Sequence, residues 1–140
     1  MSNTTGPMYD ALRNSIFVAL GGAAGTLLRH ALNLWTFTPT FPVGTAIENI
    51  TGAFLLGIIT GLLTTMQRSS DWLRAGVGVG FCGGYTTMST FAADTFVLGI
   101  HQTPLIAGGY VAVSLVGGLL LAWLGIAVGR HLGRRRRRTP

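Results

Sequence analysis

Four apolar stretches, separated by short polar connections, set the pattern of the chain. They run over Ile16–Leu34, Val43–Met66, Ala75–Ile100 and Leu105–Val128. Each reaches the roughly 20 residues that a helix needs to cross the hydrocarbon of a bilayer. None carries the continuous polar stripe of a helix in a soluble bundle. The pattern predicts an all-α membrane protein with four transmembrane helices at about 16–34, 43–66, 75–100 and 105–128. The third does not read as a plain helix. Within Val79–Asp94, Gly80, Gly83 and Gly84 weaken helix formation, and Thr86, Thr87, Ser89 and Thr90 follow at once. Irregular backbone at membrane depth survives only inside protein or beside a watery path. The third helix is therefore expected to be broken near its middle, at Gly83–Thr86. Broken helices are where channels and transporters hold ions. The bland alternative is an ordinary helix whose hydroxyls bond back to their own carbonyls.

Charge adds an orientation. All ten basic residues are arginines, against four acids. Arg13 precedes the first stretch, Arg68 and Arg74 lie in the second connection, and Arg130 and Arg134–Arg138 follow the fourth stretch. The first and third connections have none. The positive-inside rule puts both termini and the middle loop in the cytoplasm, which implies a multi-pass protein of the inner (plasma) membrane. The organisation expected is a polar N-terminal tail (1–12), a four-helix transmembrane domain (13–130) and an arginine-rich C-terminal tail (131–140). The tail reads as a topology anchor on anionic lipid in preference to a nucleic-acid patch. Cys82 is the sole cysteine and sits in apolar context, which excludes an internal disulfide and reads as packing. The first stretch is too long for a cleaved signal and carries Arg29.

Small residues four positions apart recur as Gly21/Gly25, Gly57/Gly61, Gly76/Gly80, Gly80/Gly84 and Gly125/Gly129. Such spacings let helices meet backbone to backbone. Four helices with this much close packing suggest an oligomer. The polar residues inside the stretches are mostly neutral donors: Thr45, Asn49, Thr86, Thr87, Ser89, Thr90, Tyr110 and Ser114. Thr45 and Asn49 share a helical face, as do Tyr110 and Ser114. Asn49 alone reads as interhelical glue or as a pore donor. Arg29 near the end of the first stretch either snorkels or makes an electropositive vestibule. Glu48 must be neutral, paired or wet, with Arg29 its natural partner. Neutral donors replace the hydration of a small anion, and converging carbonyls at a break suit a hard cation. His30, His101 and His131 have no ligand spacing. Nothing forms a nucleophile–base pair, a phosphate loop or a metal cluster, so an enzyme is not expected.

Three spaced motifs resemble the Fluc (CrcB) family of small bacterial fluoride channels. They are Gly21-Gly22-x-x-Gly25-x-x-x-Arg29, then Pro42-x-Gly44-Thr45-x-x-x-Asn49-x-x-Gly52-x-Phe54-x-x-Gly57, then Gly80-Phe81-Cys82-Gly83-Gly84-Tyr85-Thr86-Thr87-Met88-Ser89-Thr90-Phe91-x-x-Asp94. The resemblance implies an antiparallel, dual-topology dimer that passes fluoride passively out of the cytoplasm. It implies a fluoride path through Asn49, Met88 and Phe91, with Ser89, Thr90, Thr45, Tyr110 and Ser114 beside it, and Arg29 in the vestibule. It further implies a structural sodium ion, not transported, held at the dimer centre by backbone carbonyls of Gly83 and Thr86. Three residues depart from the family's pattern. Met88 stands where a pore phenylalanine is usual, Asp94 replaces a glutamate, and Glu48 is an unusual acid beside the pore asparagine.

An antiparallel homodimer requires one sequence to insert both ways. Nine of the ten arginines favour one side, which suggests a partner subunit of opposite bias, with this chain as a conducting or non-conducting half. A four-span small multidrug exporter is the other alternative. It would need a titratable acid in the first span, where this chain has Arg29. The expected partners are fluoride, a second copy or an oppositely oriented homologue, and the lipid bilayer, with no nucleic acid.

Overall fold

The computed structural model describes residues 6–66 and 71–136. Helix α1 spans Pro7–Trp35 and α2 spans Val43–Thr65. A π-helical stretch, Leu73–Cys82, runs into one α-helical turn, Gly83–Tyr85; together these are α3. Helices α4 (Met88–His101) and α5 (Pro104–Arg136) complete the chain. Helices α1, α2 and α5 are each long and apolar enough to cross a membrane unbroken. The third expected span is divided between α3 and α4. The chain is thus all-helical and built for the membrane.

Local chemistry explains the boundaries. Pro7 opens α1, where a missing N–H costs nothing, and Asp10 lies in the first turn, where the helix dipole favours an acid. Thr103 Oγ1 accepts from Ile106 N (3.2 Å) at the start of α5, a hydroxyl cap. Residues 7–12 were expected in a polar tail; α1 extends through them. Helix α5 likewise continues into the arginine-rich tail as far as Arg136. At about 1.5 Å per residue it is longer than the roughly 30 Å hydrocarbon core, so its arginine end projects beyond the lipid. Residues 1–5, the connecting segment 67–70 with Arg68, and 137–140 with the last arginines lie outside the described residues.

The helices pack chiefly in two pairs, α2 with α5 and α1 with α3. Both pairs use glycines reciprocally. A Cβ on Gly57 or Gly61 would strike the carbonyls of Ala122 or Ile126 on α5, and one on Gly125 or Gly129 would strike those of Phe54 or Ile58 on α2. On the other side, Gly21 and Gly25 face the carbonyls of Gly76 and Phe81, while Gly80 and Gly84 face those of Val18 and Gly22. Such contact is how helices associate where the solvent is itself apolar. A smaller cluster of Phe91, Leu98, Ala107 and Tyr110 joins α4 to α5, with Ala46 of α2 against it. Arg13 pairs with Asp10 (3.3 Å) and Asp71 (3.5 Å) at the exposed start of α1. Exposed pairs of this kind add little stability.

The break differs from the expectation in position and cause. Cys82 and Gly83 keep right-handed helical angles, and among the described residues no glycine has a positive φ. The chain leaves the helix at Thr86 (φ −81°, ψ 156°) and Thr87 (φ −147°, ψ 122°). Gly80 and Gly84 bring α3 against α1; the threonines make the interruption.

Candidate functional site

An interrupted helix leaves N–H and C=O groups without partners, and each is costly away from water. Here four of them are met by side chains of the other helices. Asn49 of α2 donates from Nδ2 to the Thr87 carbonyl (3.0 Å) and accepts from Thr87 N at Oδ1 (2.8 Å). Arg29 of α1 donates to the Thr86 carbonyl over a long 3.5 Å. Thr26 Oγ1 donates to the Gly84 carbonyl (3.4 Å). Thr87 then restarts the helix: its Oγ1 accepts from Thr90 N (3.2 Å) and donates to the Thr90 hydroxyl (3.0 Å). A threonine N-cap satisfies one orphan donor of the new helix. Thr86 bonds backward instead, from both its N (2.9 Å) and its Oγ1 (2.8 Å) to the Cys82 carbonyl.

Below the break lies a groove of about 450 Å³ lined by Asn49, Met88, Phe91 and Ser114, with Leu115 and Leu119 completing an apolar wall. No charged side chain lines it. Its polar groups are neutral donors. One N–H of Asn49 remains beyond the bond to Thr87, and the buried Ser114 hydroxyl has no protein partner. Phe91 is buried and leans on Tyr110, with ring centroids 5.2 Å apart. Phe41 meets the same tyrosine edge-on at 5.6 Å. Met88 is 72 % exposed, at the open side of the groove. A dry wall with a few fixed donors strips water from a small anion and replaces its hydrogen bonds.

The groove unites Asn49, Met88, Phe91 and Ser114. The other residues expected beside the path lie elsewhere. Ser89 and Thr90 are exposed and turn toward Thr87. Thr45 and Tyr110 are buried behind Phe91, nearer the α1–α2 and α4–α5 connections. Arg29 reaches the break and forms no ion pair with Glu48, the partner anticipated for it; among the described residues only Arg13 makes ion pairs. Gly83 and Thr86 line a second groove of about 860 Å³ between α2 and α3, which also contains Asn49 and Arg74. The Thr86 carbonyl there already accepts from Arg29. Thr87 is the residue sequence reading passed over. It was one hydroxyl among four, although Thr87-x-x-Thr90 before an apolar run was an N-cap signal.

The family described as "CrcB-like protein, Camphor Resistance (CrcB)" matches residues 16–126. The chain belongs to this family. The match spans the break, both grooves and every packing glycine of the two pairs except Gly129. Among curated relatives, a fluoride-specific ion channel FluC 2 of Halalkalibacterium halodurans is 44 % identical over 131 residues, covering 94 % of this chain and 96 % of its own. The FluC 2 of Bacillus subtilis is 46 % identical over 115 residues (82 % and 86 %). A FluC of Pseudomonas putida is 43 % identical over 117 residues (81 % and 94 %). These CrcB-like relatives are ion channels and not enzymes.

Proposed function

We propose that the chain is a subunit of a fluoride-specific channel that lets fluoride leave the cytoplasm passively. The observation that carries this reading is the neutral groove in which Asn49, Phe91 and Ser114 converge, in a chain whose relatives are fluoride-specific channels. Fluoride enters past Met88, exchanges water for the Asn49 amide and the Ser114 hydroxyl, and passes the electropositive edge of Phe91. Asn49 has two duties: it closes the broken backbone with one N–H and its oxygen, and it offers the other N–H to the anion. Arg29 at the break adds positive potential to the same region.

The working unit is an antiparallel dimer. The open sides of both grooves, and the exposed Met88 and Val79, suit coverage by a second subunit. A structural sodium ion at the dimer centre would take carbonyls of Gly83 and Thr86, the Thr86 oxygen using the lone pair that its bond from Arg29 leaves free. The one-sided arginines favour a heterodimer with an oppositely biased homologue, the termini of this chain facing the cytoplasm. Fluoride efflux from liposomes tests the reading, with chloride as control. Fluoride release by this chain alone would establish conduction and remove the need for a different partner.

A further inference from the structure

The break is seated on one short stretch of α2. Asn49 holds Thr87 by two bonds. Gly52 has no room for a side chain, because the Thr86 methyl stands where a Cβ would go, with the Tyr85 ring beside it. Thr51 meets the Tyr85 hydroxyl at 3.0 Å. The direction of that bond is fixed. The Thr51 hydroxyl gives its one hydrogen to the Ile47 carbonyl (2.6 Å), so the tyrosine donates and Thr51 accepts. Tyr85 is buried and stacks on Phe81, with ring centroids 5.9 Å apart and the planes within 17°. A buried phenol O–H needs such a partner. Yet Tyr85 lines neither the groove at Phe91 nor the larger groove between α2 and α3.

Helical geometry gives this bond a use. At about 100° per residue, Asn49 lies about 60° to one side of Gly52 and Thr51 about 100° to the other. The two attachments therefore straddle the seat of Thr86. Asn49 alone would pin the segment at Thr87 and leave it free to swing about α2. With Thr51 as well, the segment is held at both ends, and Met88 and Phe91, which follow directly, are held with it. We propose that Tyr85 is a positioning residue: its hydroxyl, latched to Thr51, keeps the break in register with Asn49, so that Phe91 faces the same groove as the Asn49 amide. The consequence for flux rests on the fluoride reading above; the latch itself does not.

Cys82 reports on the latch independently of transport. It is the sole cysteine, 2 % exposed, and its carbonyl takes both bonds from Thr86. N-Ethylmaleimide should label it about fivefold faster in Tyr85→Phe and in Thr51→Val than in the wild type, the population change that one lost hydrogen bond makes. Thr51→Ser keeps the acceptor and should label at the wild-type rate. In liposomes, Tyr85→Phe and Thr51→Val should each pass fluoride up to about fivefold more slowly per folded, inserted chain. The double variant should be no slower than either single one, and Thr51→Ser should conduct normally. A contact that served stability alone would lower the yield of folded protein and leave flux per folded chain unchanged. If Tyr85→Phe does not fold, Thr51→Val carries both readouts. Wild-type labelling or wild-type flux in the folded variants overturns the proposal, as does multiplication of the two effects in the double variant. A wild type that releases no fluoride, alone or with a homologue, sinks only the fluoride reading, and the labelling rates then decide the latch.

Discussion

The pair α2–α5 and the pair α1–α3 are built on the same device, yet they do different work. Each is joined by two glycines per helix set against the partner's carbonyls. In α2–α5 both helices run unbroken, and their backbone groups are satisfied within them. In α1–α3 the partner ends at Thr86, and Asn49, Arg29 and Thr26 must supply what the helix lost. Close packing alone makes a stable crossing. An interruption adds polar groups at membrane depth, and those polar groups come from two other helices, α1 and α2. The site is therefore a consequence of the break and of the helices that repair it.

The comparison is broken most severely at the glycines of α2–α5. Gly57→Leu or Gly129→Leu forces a side chain into facing backbone that has no room to yield. Overpacking of this kind costs about 1–3 kcal/mol or more. Such variants are expected to lose folded protein on size-exclusion chromatography in detergent, before any question of transport arises. Asn49→Asp comes next, and acts on the repaired break. It removes the donor to the Thr87 carbonyl and puts a charge in the groove. Leaving a buried carbonyl bare costs about 1–3 kcal/mol, and fluoride flux should vanish while folded protein persists. Unchanged flux would take Asn49 out of the path.

A finer contrast lies within α3. A Cβ on Gly84 would strike the Gly22 carbonyl, whereas one on Gly83 meets nothing within 4 Å. Gly83→Ala should leave the midpoint of thermal unfolding nearly unchanged, within about 0.5 kcal/mol. Gly84→Ala should lower it clearly. Equal effects would mean that the two glycines are needed for helix breaking and not for packing. The smallest change is expected from Met88→Phe at the open side of the groove. An aromatic edge there should raise fluoride flux modestly without altering stability.

The fold was legible in the sequence because hydrophobic length and glycine spacing are themselves the physics of membrane helices. The interruption was legible too, but its cause was misread. Gly83 and Gly84 looked like helix breakers, and the backbone keeps helical angles through Gly83. The glycines answer to α1, a neighbour about sixty residues away in sequence, and no local signal records that. Asn49 was recognised as glue or pore donor, and its contacts with Thr87 give it the first role while leaving an N–H for the second. The gathering of Glu48, Asp94 and Tyr110 needs three helices in register, so spacing along one helix offered no hint of it. Arg29 was paired with Glu48 by charge alone; the freed Thr86 carbonyl took it instead.

The central claim is that this chain lines a path for fluoride. The most direct test is fluoride efflux from liposomes, read with a fluoride electrode, with the purified protein inserted alone and then with a co-expressed homologue of opposite charge bias. The account predicts fluoride release without chloride release in at least the second preparation. Folded, inserted protein that releases no fluoride in either preparation would contradict it.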